Sequence, residues 1–282
     1  MLGVRRFVAT SGLGHPFVCH VGDSLGENPF YNRDAFRTEL ELCAAWSRQH
    51  PTPAIFDVGA NVGFWSSQLA QMLADHGHAI FAFEPVPATF AKLAASVERL
   101  ALAGRLHVIA SAVTDASGIV SLRYTPFNSM LAQVGAGTVE PSPGTRTAFA
   151  PSLTLDEFSS CVGVTPDLLK IDVEGSELRA LRGAQGMLRL PNRPGIMFEY
   201  NPEALAAAGE DVTSFAELLS GYVLHYVDDF EGQRRPFAQR IGSTGDIGWV
   251  CNLFAVPSHE GGLSRWRAAA ESAGKRLQAV AR

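Results

Sequence analysis

The chain has 282 residues, 46% of them hydrophobic and 18% charged, with a formal net charge of −5. That balance excludes a disordered or fibrous chain and fits one large α/β unit with embellishments. Its acidic sign offers no long-range pull on phosphate backbones, so a general nucleic-acid partner is not expected. Cys19, Cys43, Cys161 and Cys251 are far apart with no C-x-x-C, which reads as reduced thiols of a cytosolic protein rather than a zinc or disulfide framework. Arg5 and Arg6 precede too short an apolar stretch for a signal peptide. No run approaches the ~18 apolar residues that span a bilayer. The expectation is a cytoplasmic protein with no membrane partner.

In chain order, residues 1–53 read as an N-terminal cap. A Gly/Pro-rich extended start leads to a helix with Phe36, Leu40 and Cys43 on one face and Asn32 as its cap. From residue 54 strands and helices alternate. "AIFDV" is a short apolar run suited to a buried parallel strand. The helix after it carries Trp65, Leu69, Met72 and Leu73 on one stripe. "AIFAF" and "LHVIA" are the next strands, separated by a helix with Phe90, Leu93, Val97 and Leu100 in phase. This order predicts right-handed crossovers and a doubly wound, Rossmann-like sheet.

The rhythm breaks at 117–153, where glycines and prolines surround "IVSLRY"; the expectation is a hairpin plus a long mobile insertion. "TLDE" at 154–157 is a capping box. "LLKIDV", "SELRALRGAQGML" and "GIMFEY" read as strand, helix and strand, and "SFAE" at 214–217 as a second capping box. "YVLHYV" and "WVCNLFAV" alternate as an antiparallel pair, closing a unit over 54–257. The tail, 258–282, is an amphipathic helix from Ser264 whose basic residues form a solvated face.

The stretch that carries function is "AIFDVGANVGFWSSQLAQ". A dinucleotide fingerprint needs glycines at the first, third and sixth positions of the turn. Counting from Gly59, those places hold Asn61 and Phe64, so the fingerprint fails twice. What stands instead is Asp57-x-Gly59-x-Asn61-x-Gly63, which resembles the first motif of class I S-adenosylmethionine-dependent methyltransferases. Gly59 lets backbone pass close under a ligand, Gly63 lets the helix pack tightly on the strand, and a strand-end acid such as Asp57 suits a positively charged amino-acid moiety. Glu84 ends the second strand 25 positions after Gly59, near the spacing of a ribose-binding carboxylate. Such a group accepts both vicinal hydroxyl protons.

"FDVGANVGFWS", "FAFEPVPATFAKL", "AVTDASGIVSL", "TLDEF" and "LLKIDVEGSELRALRGA" follow one another as in the FkbM family of methyltransferases, which residues 54–200 resemble. The resemblance implies a class I fold, S-adenosyl-L-methionine as donor, and O-methylation of a small molecule, sugar or secondary metabolite. It assigns Asp57, Gly59, Asn61 and Gly63 to the donor turn, Glu84 to the ribose, and Ser111, Ala112 and Val113 to the adenine. Asp172 falls where such enzymes meet the methionine end or the acceptor.

A hydroxyl acceptor needs a base within hydrogen-bond reach. Ligands of open α/β sheets bind beyond the carboxyl ends of the strands, which selects Asp172 and Glu174 first and Glu199 behind them; His225 lies inside its strand. These carboxylates have no diagnostic ligand spacing, so no metal is expected. Two rival readings are a nicotinamide-dependent oxidoreductase and a non-catalytic nucleoside-binding protein of the same fold. A nucleic-acid methyltransferase is disfavoured by the acidic balance and by "DVEG" in place of an "NPPY"-type motif.

Overall fold

The computed structural model describes residues 5–125, 128–134, 144–210, 213–227, 239–240 and 247–280. The N-terminal segment is a hairpin, β1 (Arg6–Thr10) and β2 (Pro16–His20), followed by helices α1 (Ser24–Tyr31) and α2 (Arg37–Ser47). The expected single helix is thus two. Asp23 caps α1 by accepting from Gly26 N at 3.0 Å, and α2 begins after Phe36 in the left-handed region, not at Asn32. Gly26 and Pro29 disguise α1 in the sequence, because both are poor helix formers.

The alternating part comprises β3 (Ala54–Val58), α3 (Phe64–Met72), β4 (Ala79–Phe83), α4 (Pro87–Arg99) and β5 (Leu106–Ile109). A second, four-stranded sheet follows: β6 (Ala112–Val113), β7 (Gly118–Thr125), β8 (Asn128–Val134) and β9 (Arg146–Leu153). The expected loop insertion is therefore largely strand: β9 pairs along β7 from Gly118↔Ser152 to Tyr124↔Arg146. Pro151 at its end hid that strand from pattern reading. Residues 126–127 and 135–143 lie outside the described residues.

The main sheet then gains β10 (Leu168–Ile171) and β11 (Gly195–Tyr200), with α5 (Leu155–Val162) before them and α6 (Glu177–Arg182) and α7 (Gln185–Leu188) between. The single helix expected after β10 breaks at Gly183, where a Cβ would stand 2.1 Å from Thr114 O. Thr154 caps α5 by accepting from Glu157 N at 3.1 Å. α8 (Pro202–Ala207), capped by Asn201, and α9 (Ser214–Leu218) lead to β12 (Tyr222–Val227), β13 (Gln239–Arg240), β14 (Cys251–Pro257) and α10 (Glu260–Val280). The second capping box does not form: Thr213 precedes α9 with helical dihedrals and no side-chain cap bond. α10 starts earlier than Ser264, and Gly262 donates to His259 Nδ1 at 3.0 Å.

The eight strands run β13-β12-β14-β11-β10-β3-β4-β5. β11, β10, β3, β4 and β5 are parallel; β14, β12 and β13 are antiparallel. The chain proceeds outward from β3 to β5 on one side and returns through β10 to β11 on the other, so the topological switch lies between β3 and β10. A ligand crevice is expected there. Apolar clusters cover both faces. One joins α3 and α4 to Leu40 and Trp46 of the cap and Trp266 of α10; the other gathers α5–α9. Cap and tail thus share a core with the sheet. Among the described residues, no helix is long and apolar enough to cross a membrane.

Candidate active site

The strand β3 ends in a turn that must leave the sheet at once. Gly59 does so with φ +82°, and its N–H donates to Phe83 O at 3.0 Å. Asn61 also takes a positive φ, 53°, where its Oδ1 accepts from Val62 N at 2.8 Å. Asn tolerates this region because its short side chain bonds the local backbone. Gly63, φ +84°, starts α3, and a Cβ there would lie 2.5 Å from Leu93 Cδ1. Its role is helix packing, not cavity lining.

Glu84 follows β4 and fastens this turn. Oε2 accepts from Asn61 N at 3.1 Å and Oε1 from Val86 N at 2.8 Å. The residue is 5% exposed, and burial pushes its pKa up to about 7 against those two bonds. Each oxygen keeps a further acceptor position.

A cavity of ≈ 210 Å³ opens at these strand ends. The sheet order arranges its wall as a row: Ser111, Ala112 and Val113 beyond β5, Glu84 beyond β4, Gly59 to Asn61 beyond β3, Asp172 and Glu174 beyond β10, and Glu199 near the end of β11. Two hollows of ≈ 470 Å³ lie elsewhere, one below the starts of β3 and β10 and one beside α2 and α3. Neither gathers the strand-end carboxylates, so chemistry and not size marks the site.

Asp57 is the sequence-selected residue whose side chain turns away. It is fully buried and pairs across the sheet with Lys170. Its Oδ1 lies 3.4 Å from Lys170 Nζ, and Oδ2 accepts from Ser66 Oγ. Burial raises the Asp57 pKa, opposed by Lys170 and Ser66. Sequence spacing places an acid at the strand end; only strand register shows that it faces a neighbouring lysine.

The three candidate bases do converge. Asp172, Glu174 and Glu199 each bring an oxygen within 4.8 Å of the others, an arrangement suited to a shared proton and, equally, to a hard cation. Their spacing in the sequence carries no ligand signature, because Glu199 reaches the other two across the sheet from β11. Glu174 has φ 53° and is followed by Gly175 at 97°. Glu177, fully buried, stabilises this turn: its Oε1 accepts from Val173 N at 3.0 Å and Gly175 N at 3.2 Å. Burial, then the Asp172 charge, pushes Glu174 up to about 8 and Glu199 up to about 9. Glu199 Oε2 is buried with no hydrogen-bond partner among the described residues.

Lys170, one residue inside β10, also lines the cavity, with Nζ 3.1 Å from Asp172 Oδ2. Burial lowers its pKa, but Asp172, Asp57 and Glu39 outweigh that, so the ammonium holds its proton more tightly than usual. Phe36, Phe64 and Trp65 form the cavity's aromatic wall; sequence pattern does not mark them as site residues, because Trp65 falls on the apolar stripe of α3 and Phe36 on the apolar face leading into α2. Asn28 of α1 and Leu122 of β7 complete it from the cap and the small sheet. Phe30 and Tyr31, the last residues of α1, are exposed and outside the lining. Phe127 and Phe230 lie outside the described residues. His225 packs against Trp266 at 4.4 Å, away from the cavity.

Residues 57–225 match the family model described as the methyltransferase FkbM domain, more than half of the chain. The chain belongs to that family. Among curated FkbM methyltransferases, the 31-O-demethyl-FK506 methyltransferase FkbM of Streptomyces tacrolimicus is 29% identical over 194 residues, covering 60% of this chain and 72% of that protein. Among solved structures, methyltransferase FkbM from Methylobacillus flagellatus KT is 16% identical with a TM-score of 0.46; the match covers 73% of this chain and 44% of that one. The chain thus spans less than half the length of that protein. A SAM-dependent methyltransferase from Agrobacterium tumefaciens is 11% identical with a TM-score of 0.47, covering 92% of this chain and 72% of the other. The family match runs from the end of β3 into β12, and every strand-end residue of the cavity falls within it.

Proposed function

We propose that this FkbM-family methyltransferase binds S-adenosyl-L-methionine in the strand-end cavity and methylates a hydroxyl of a small molecule, sugar or secondary metabolite. The observation that carries the reading is the order of chemistry along the wall. An apolar slot at Ala112, Val113 and Leu122 suits a purine. Next comes Glu84, with acceptor positions for a vicinal diol, and then the glycine turn. Four carboxylates, Glu84, Asp172, Glu174 and Glu199, line the wall with one lysine, and a cationic sulfonium among them would favour the ionised form of those that burial keeps protonated. The S. tacrolimicus relative is named as a methyltransferase of 31-O-demethyl-FK506, which supports a hydroxyl acceptor.

Bound there, the donor supplies a methyl group already electrophilic on a positively charged sulfur. The protein's task is to align the acceptor, exclude water and remove a proton. Phe36, Phe64 and Trp65 exclude water. Glu174 and Glu199, with pKa values raised towards 8 and 9, become strong enough bases to take a hydroxyl proton once they lose their own above neutral pH. Asp172, held by Lys170, positions them. No metal is invoked, because Lys170 already sets a cation beside the triad; a chelated enzyme that regains lost turnover only with magnesium would reassign the three acids as ligands. The proposal includes a cytoplasmic setting, with neither nucleic acid nor membrane as partner.

Titration calorimetry tests the donor. S-adenosylhomocysteine is expected to bind and NAD not to, with Glu84→Ala weakening S-adenosylhomocysteine about tenfold or more. NAD binding in place of the homocysteine compound would make the oxidoreductase reading correct. Donor binding without methyl transfer to any hydroxyl would favour the non-catalytic one.

A further inference from the structure

Trp65 is 4% exposed and lines the cavity, yet its indole Nε1 is buried with no acceptor among the described residues. A buried donor left unpaired costs about 1–3 kcal/mol, and nearly all such groups in folded proteins find a partner. An orphaned N–H in a cavity wall is explained by an acceptor that arrives with a ligand. Three neighbouring features identify that acceptor as anionic. Trp65 is the second residue of the nine-residue helix α3, whose N-terminus carries partial positive charge. The first N–H of this helix bonded back to the chain is that of Ser67, to Gly63 O at 3.0 Å, so earlier ones remain available. Lys170 Nζ lies 5.9 Å from the Trp65 ring centroid and is the one cation among the described lining residues.

Lys170 is paired with Asp172 and Asp57, and the rest of the wall is acidic or apolar apart from Asn28, Asn61 and Ser111, so among the described lining residues a cation and an orphaned N–H meet only at this corner. We infer that Trp65 Nε1 donates a hydrogen bond to the carboxylate of the donor's amino-acid chain, with Lys170 and the α3 N-terminus completing an anion pocket. The inference deepens the donor reading above and rests on it. It also explains a tryptophan here: phenylalanine would fill the same apolar space but leave the carboxylate one donor short.

Two ligands sharing adenosine and sulfur separate the possibilities. S-adenosylhomocysteine has the carboxylate; 5′-methylthioadenosine lacks the amino-acid chain. For Trp65→Phe, calorimetry is expected to show S-adenosylhomocysteine weakened about ten- to hundredfold, with 5′-methylthioadenosine unchanged. Equal losses for both ligands would reduce Trp65 to general packing and overturn the assignment, as would no loss for either. A raised acceptor KM with unchanged donor affinity would move the N–H to the acceptor and overturn it too. Trp65→His, which retains a ring N–H, guards against misfolding in the phenylalanine variant: partial recovery of S-adenosylhomocysteine affinity supports the bond, and none counts against it. If the unaltered protein binds neither ligand, the donor reading itself fails, a result distinct from each of these.

Discussion

Gly59 shows how a single missing carbon holds the site together. A Cβ on that residue would stand 1.9 Å from the Asp172 carbonyl oxygen, on a backbone at φ +82°. Turn and strand end can approach only because nothing projects between them. Gly59→Ala is therefore expected to cost about 3 kcal/mol or more of stability, read by chemical denaturation. Survivors would bind donor poorly, since Asp172 and the Asn61–Glu84 bond move together. Wild-type stability in that variant would refute the close approach.

Within and between elements, the decisive event is the meeting of β10 and β11. Their parallel register sets Ile171 beside Phe198, so Asp172 and Glu199, the next residue on each strand, emerge side by side. Burial first, and then the like charges close by, make the ionised form of Glu199 costly. Glu199, raised from an ordinary 4.5 to about 9, keeps its proton in the folded state long after the unfolded chain has lost its own. Its contribution to stability is full below pH ~4.5 and disappears as pH rises towards 9. The apo protein should therefore melt at progressively lower temperature between pH 5 and pH 9. Glu199→Gln should flatten that slope and raise Tm at pH 8–9 by about 2–4 °C per kcal/mol regained. Activity should run the other way, kcat/KM rising through pH 7–9 as Glu174 and Glu199 become able to accept a proton. A pH-independent melt, with the Gln variant no different from wild type, would remove the shared-proton account.

At the scale of the molecule, the cavity is closed by parts distant in sequence. Asn28 comes from α1 and Phe36 from the start of α2, while Leu122 comes from the small sheet. The cap is held over α4 by the ion pair of Lys92 with Asp23, a buried carboxylate that also caps α1, and by His20 at the end of β2 against Ser96 Oγ at 3.0 Å. Trp46 of α2 donates to Asp167 O at 3.0 Å, and Arg265 of α10 lies 4.3 Å over its ring, so cap, sheet and tail interlock. Lys92→Met should leave Asp23 short of its counter-ion and cost about 1–3 kcal/mol. It should raise the acceptor KM and leave donor affinity nearly untouched. A donor affinity that falls in parallel would place the cap on the donor's side of the cavity.

What the sequence by itself determined is local. Strand, glycine turn and helix are contiguous, so "AIFDVGANVGFW" and "FAFEP" specify their own geometry within a few residues, and β3, α3, β4 and the strand-end place of Glu84 follow from them. The order of strands and the ends where Asp172 and Glu174 emerge follow from apolar periodicity. Only the tertiary structure decided what depends on register and burial. It turned Asp57 towards Lys170, carried Glu199 to Asp172, and brought cap residues over a cavity formed by strands far along the chain. It also paired β9 with β7, and it isolated the Trp65 N–H. Periodicity can say that a side chain is buried; which partner it finds there is fixed by chain segments that no local pattern contains.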